Sequence, residues 1–189
     1  MMKHPHPEKD YEVPGSVTPV RESFEPVDPE VRAKVHQYME ERHYKVGRPI
    51  LIQGPRLSGK TTLGLYIVRA IFDVEPLFTG YWKEHDFLED TRETWHKQKL
   101  MESYGQDMGL WVECSDFNNR YREYCFYPRL FLDDVGIGYS DWNLSAVETL
   151  LHDRNDQQLL TVISTESDLW DALPKRVRIP FEDGMVLYL

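Results

Sequence analysis

The stretch Gly54-Pro55-Arg56-Leu57-Ser58-Gly59-Lys60-Thr61 constrains this chain more than any other. It fits the pattern G-x-x-x-x-G-K-[ST], and its flanks are those the pattern requires. Before it, Pro49-Ile50-Leu51-Ile52-Gln53 is a short apolar run that reads as a buried strand. After it, Thr62 to Ala70 carries apolar residues at helical spacing. Two glycines allow a tight turn in which several backbone N–H groups point inward, as a phosphate requires. A helix starting near Gly59 adds the positive end of its dipole. Lys60 is placed to reach the β- and γ-phosphates, and the Thr61 hydroxyl can take a place on Mg²⁺. The plain alternative is a Gly-rich turn with a surface lysine, and the strand and helix on either side argue against it. The expected ligand is a nucleoside triphosphate with Mg²⁺, held by Gly54, Pro55, Ser58, Gly59, Lys60, Thr61 and Thr62; ATP is the expected one, although the loop alone leaves GTP open.

At 189 residues the chain suits one well-buried domain. It has no apolar run long enough to span a bilayer and no apolar signal core near Met1, so no membrane role and a cytoplasmic location are expected. Cys114 and Cys125 are too few for a disulfide framework. The net charge of -10 repels nucleic acid at long range, so strand binding needs a local basic groove or several subunits. The same charge suits a basic protein partner.

Residues 1–27 lack periodicity and are rich in Pro, Glu, Val and Ser, which predicts an extended or disordered arm ahead of a domain at 28–189. Asp28 caps a helix with Pro29 in its first turn; Val31, Val35, Tyr38 and Met39 share a face, and Gly47 stops it. Arg42, His43, Tyr44 and Lys45 near its end could hold an adenine ring or form a solvated terminus. Leu77 to Trp82 reads as a strand, and Glu84 to about Ser103 as a long helix with Phe87, Leu88, Trp95, Leu100 and Met101 along one stripe. Gly105 and Gly109 end it, with a short strand over 110–114 and a short helix over 116–124 to follow. Arg129 to Asp133 is a strand, Asn143 to Asp156 a helix, Leu159 to Ser164 a strand, and Met185 to Leu189 the last strand. Strands alternating with helices imply an α/β fold, here a five-stranded, mostly parallel sheet covered by helices on both faces.

The second chemical signal is Asp133-Asp134, closing an apolar strand about seventy residues after the phosphate loop. Asp133 is placed to help hold Mg²⁺, with Asp134 to orient or deprotonate the attacking water; alternatively Asp134 only caps the next turn. Ser164, Thr165 and Glu166 form a polar strand end that could report on the γ-phosphate. In Lys175-Arg176-Val177-Arg178, a basic cluster in a late loop, Arg176 could act as an arginine finger on a neighbouring subunit, or the cluster could be solvated. Arg120, Tyr121, Arg122, Tyr124, Tyr127 and Arg129 mix cations with rings, which suits single-stranded DNA or, alternatively, packing on the sheet.

The order of these parts resembles the bacterial helicase-loader ATPases of the AAA+ class, the DnaC-like and IstB-like group. Four stretches carry the resemblance: Gly54 to Thr61; Tyr81-Trp82-Lys83-Glu84-His85-Asp86-Phe87-Leu88; Leu130-Phe131-Leu132-Asp133-Asp134-Val135-Gly136; and the span from Leu144 through His152-Asp153-Arg154 to Ser164. It covers roughly residues 45–170. There are two departures. Glu166 stands where that group usually has Asn, which moves the sensor role toward Thr165. The chain ends at Leu189, where the group continues into a helical lid. The resemblance implies an ATPase, with Lys60, Asp134, Thr165 and Arg176 as its catalytic set. It also implies ATP-dependent delivery of a replicative helicase, or help to another DNA-processing protein such as a transposase, on single-stranded DNA. The arm at 1–27 with the helix after it would be the partner-binding part, and a homo-oligomer stays open. Two other classes compete: a nucleotide-dependent assembly protein with little turnover, and a small-molecule kinase. The kinase is disfavoured because no arginine-rich lid is visible.

Overall fold

The computed structural model describes residues 28–77, 79–104, 124–136 and 140–189. Outside the described residues lie the arm at 1–27, Gly105, Gly109, the strand expected at 110–114, nearly all of the helix expected at 116–124, and Arg120, Tyr121 and Arg122. The side chains of Trp95, Leu100 and Met101 lie outside them too.

Among the described residues, one sheet forms from β1 (Ile50–Gln53), β2 (Thr79–Lys83), β3 (Arg129–Asp133), β4 (Leu160–Thr165) and β5 (Met185–Tyr188), in the order β2-β3-β4-β1-β5. Every pairing is parallel. Parallel neighbours need crossovers, and helices supply them. Helix α1 (Pro29–Glu40) precedes β1, α2 (Lys60–Val74) follows it, α3 (Glu84–Tyr104) follows β2, and α4 (Asp141–Asp156) lies between β3 and β4. The short α5 (Ser167–Ala172) and α6 (Lys175–Arg178) connect β4 to β5.

The strands are buried on both sides, so they read as apolar runs whose alternate residues serve opposite cores. Ile50, Ile52, Phe131 and Val162 pack with Val31, Val35 and Tyr38 of α1 and with Leu63, Ile67 and Ile71 of α2. Leu51, Leu130, Leu132 and Ile163 pack with Phe87 and Leu88 of α3, Val147, Leu150 and Leu151 of α4, and Trp170 and Phe181 beyond β4. The connection from β1 to β2 passes over β4 and β3. The carboxyl ends of β1 and β3 therefore face each other across the end of β4, where an open parallel sheet places its ligands.

Local chemistry sets the element ends. Asp28 accepts the Glu30 N–H at 2.8 Å as the α1 cap. β2 begins at Thr79 rather than Leu77, because the Leu77 N–H turns back to the Glu75 carbonyl at 2.8 Å just after Pro76. Helix α4 starts two residues earlier than expected: Ser140 caps it by accepting the Asn143 N–H at 3.2 Å. Lys175 to Arg178, expected as a loop, is a single helical turn that buries Val177.

Candidate functional site

The phosphate loop leaves β1 at Gln53, itself only 4% exposed, and returns into α2 at Lys60. A Cβ on Gly54 would lie 2.7 Å from Ser58 Oγ and 2.8 Å from the Leu189 carbonyl, so no other residue fits there. Gly59 has φ 93°, the left-handed region. Leu57 shares that region at φ 66° with its side chain 97% exposed, a strained turn of about 1 kcal/mol that no local sequence pattern announces. Lys60 Nζ folds inward and donates to the carbonyls of Gly54 at 3.1 Å and Pro55 at 2.8 Å. Its hydrogen bonds thus go to neutral carbonyls rather than to an acid, although the side chain is buried. Ser58 Oγ is also buried, and it has no hydrogen-bond partner among the described residues. The first N–H groups of α2 lack intrahelical acceptors, as at any helix start. An inward ammonium, an orphan hydroxyl and a helix N-terminus together fit an anionic oxygen group.

Facing the loop, Asp133 is 1% exposed, and its carboxylate collects three hydroxyls. Thr61 donates to Oδ2 at 2.8 Å, Tyr81 donates to the same oxygen at 3.2 Å, and Ser164 donates to Oδ1. All three donors are neutral. A buried, unneutralised carboxylate beside a threonine hydroxyl is a hard-oxygen donor set suited to Mg²⁺. Among the described residues no group of three or more His, Cys, Asp or Glu side chains could hold a metal.

Asp134 lies one residue on, partly exposed, at φ 60°. Its N–H donates to Ser164 Oγ at 3.0 Å, so Ser164 engages both acids. The turn is held further by the Val135 N–H to the Ser164 carbonyl at 2.8 Å, by Thr165 Oγ1 to the Val135 carbonyl at 2.6 Å, and by the Gly136 N–H to the buried Glu84 carboxylate at 3.1 Å. Burial raises the Asp134 carboxyl above the ordinary aspartate range, and Asp133 adds to this; Lys60 and Lys83 pull it back, and Glu166 pushes the same way as Asp133. Desolvation, with Asp133 alongside, also pushes the Tyr81 phenol up, which keeps it a neutral donor. Asp134 lines a cleft of about 290 Å³ with Lys83, Glu84, His85, Arg92 and Asn143.

The structure therefore brings together Gly54, Pro55, Ser58, Gly59, Lys60, Thr61, Asp133 and Asp134, with Thr62 in the first turn of α2. Thr165 sits at the same strand end, but its hydroxyl is spent on the Val135 backbone. Arg176 lies elsewhere, paired with Glu148 of α4 at 2.8 Å. The segment Arg42 to Lys45 is at the opposite end of the sheet. Gly47 abuts the Gln158 backbone just before β4, and Lys45 meets Glu75 at the far end of α2. An adenine ring held there is ruled out. Arg129 is buried against Glu75, and Tyr124 packs on Phe87 and Trp82, so these two serve the interior rather than a strand of DNA. Sequence reading missed Tyr81, Glu84 and the double role of Ser164. Strand register reveals Tyr81, which pairs with Phe131 two residues before the acid, and Glu84 shows itself only by its contact with the Gly136 N–H.

No protein-family profile matches the chain, and no curated protein sequence does. Solved structures match in shape. A structure of the DnaC helicase loader is 20% identical with a TM-score of 0.60, the match covering 95% of this chain and 94% of that one. A structure of DnaI is 16% identical with a TM-score of 0.60, covering 86% of each chain. The replication initiator DnaA bound to AMPPCP and single-stranded DNA is 16% identical with a TM-score of 0.60; 85% of this chain matches 46% of that one. The fold is thus the one seen in these helicase-loader and replication-initiator structures. Among the described residues no helix is long and apolar enough to cross a membrane.

Proposed function

We propose that this chain binds and hydrolyses ATP with Mg²⁺, and that the cycle loads or remodels a DNA-replication partner on single-stranded DNA. The partner would be a replicative helicase or another DNA-processing protein. The observation that carries the nucleotide half is the 2.8 Å hydrogen bond from Thr61 to Asp133, which joins the phosphate loop to the acidic strand end across 72 residues of sequence. In this reading the loop backbone and Lys60 hold the phosphates, and Thr61 and Asp133 hold the metal's side of the site. When bound, Mg²⁺ supplies charge neutralisation on the phosphates. Asp134, beside Lys60 and open to the adjoining cleft, orients or deprotonates the attacking water. Arg176 would act on a neighbouring copy of the chain rather than on its own site. The likeness to DnaC, DnaI and DnaA supports the replication half of the reading.

A second reading has its own observations behind it. Thr165 and Arg176 are both committed to contacts within the chain, which favours a protein that binds ATP as an assembly switch and turns it over slowly. One experiment separates the two: steady-state ATP turnover with and without single-stranded DNA, with Lys60→Ala as the blank. Turnover that rises with single strands is expected of a loader. Tight binding with turnover no greater than the Lys60→Ala blank in either condition would replace the loader reading with the switch.

A further inference from the structure

Asp133 is fixed by more hydroxyls than a phosphate loop and an acidic strand need supply. A carboxylate offers about four lone-pair sites, and Thr61, Tyr81 and Ser164 occupy three of them. The donors come from three different elements: α2, β2 and β4. Thr61 and Tyr81 converge on one oxygen, Oδ2, from helix and strand respectively. The Tyr81 ring is held where it can do this. It packs against Phe131 with centroids 5.3 Å apart, and β2 and β3 are locked in register from Thr79–Arg129 to Lys83–Asp133. The hydroxyl therefore reaches the strand end from a fixed base.

We propose that Tyr81 is a positioning residue for the cation side of the nucleotide site, holding the Asp133 carboxylate in place through Oδ2 so that the Thr61 oxygen and the remaining lone pair of Asp133 face the phosphates together. The inference rests on the MgATP reading above and assigns it a residue that neither the loop motif nor the acid pair contains. A neutral donor is the right chemistry here, because it orients the carboxylate without cancelling the charge that attracts the cation. Tyr81 touches neither the phosphate loop nor Lys60 through any hydrogen bond described for it, so its effect should be confined to the metal-dependent part of binding.

The test is the affinity for a fluorescent, non-hydrolysable ATP analogue, measured once in excess EDTA and once in excess Mg²⁺, for wild type and Tyr81→Phe. The wild type is expected to tighten in Mg²⁺. Tyr81→Phe is expected to keep its EDTA affinity within about twofold and to lose roughly tenfold of the Mg²⁺-dependent tightening, the usual scale for a lost outer partner. Tyr81→Met, which keeps apolar bulk and drops the hydroxyl, should give the same split and serves if the Phe variant does not fold. If the wild type tightens in Mg²⁺ and Tyr81→Phe tightens equally, the positioning role is wrong while the MgATP reading stands. An equal loss in EDTA and Mg²⁺ would make Tyr81 a packing residue only. No Mg²⁺-dependent tightening in the wild type would overturn both.

Discussion

In the proposed mechanism, Asp134 is the residue on which turnover and stability would pull in opposite directions. Its carboxyl is raised by burial and by Asp133, so the folded state binds that proton more readily than the unfolded chain does. The stabilising contribution is therefore present at low pH and lost as pH rises through the folded pKa. Asp134→Asn removes a charge the fold disfavours and places in the left-handed region a residue that tolerates it better than most. The variant should bind nucleotide as the wild type does, lose turnover by at least about 100-fold, and melt at a higher temperature at neutral pH. The melting difference should shrink as pH falls through the aspartate range. Calorimetric scans across pH, with a turnover assay at one pH, check both halves. Normal hydrolysis by Asp134→Asn would remove it from the mechanism.

At the scale of elements, α2 lies close against β3, and Gly64 permits it. A Cβ there would stand 2.2 Å from the Phe131 ring. Phe131 is fully buried between the helix and Tyr81, so it has little room to yield. Gly64→Ala raises helix propensity yet overpacks this contact; a net loss of about 1–3 kcal/mol is expected, read as a lower denaturant midpoint with an unchanged slope. Because Phe131 also supports Tyr81, the same variant should weaken Mg²⁺-dependent nucleotide binding more than binding in EDTA. The elements themselves were largely legible in the sequence. β1, α2, β3, α4 and β4 follow from apolar runs and helical spacing, and Asp28 marks the start of α1 by chemistry; Gly47, expected to stop α1, instead caps a separate 3-10 turn over His43–Val46, because α1 already ends at Glu40. The partners of Asp133 were not legible. Tyr81 and Ser164 find the acid through inter-strand register, which no local pattern encodes. The misplaced adenine site had an available signal: a segment that enters β1 must lie at the opposite end of the sheet from the loop that leaves it.

In the whole molecule, a buried cation ties the layer behind the site together. Arg154 of α4 has no exposed surface and donates to Thr161 Oγ1, to the carbonyls of Tyr124 and Tyr127, and to the carbonyl of Leu160. It fastens the last turn of α4 to the approach of β3 and the start of β4, the two strands whose far ends present Asp133 and Ser164. Arg129 plays a matching part at the foot of β3, bound to Glu75 and stacked over Tyr44. Two of the chain's cations thus serve the scaffold, which leaves the acidic surface to be overcome locally if a nucleic acid is to bind. The polar end of the sheet is left with one set of groups aimed at one place: Lys60 and Ser58 from the loop, Thr61 from α2, the two acids from β3. Their convergence is what a nucleotide site requires.

Direct titration calorimetry of ATP with Mg²⁺ into the wild type and into Lys60→Ala measures whether nucleotide binds there. Saturable binding near one per chain in the wild type, lost in a Lys60→Ala protein that melts normally, is the predicted result. Equal binding by the two proteins, or none by the folded wild type, would contradict it.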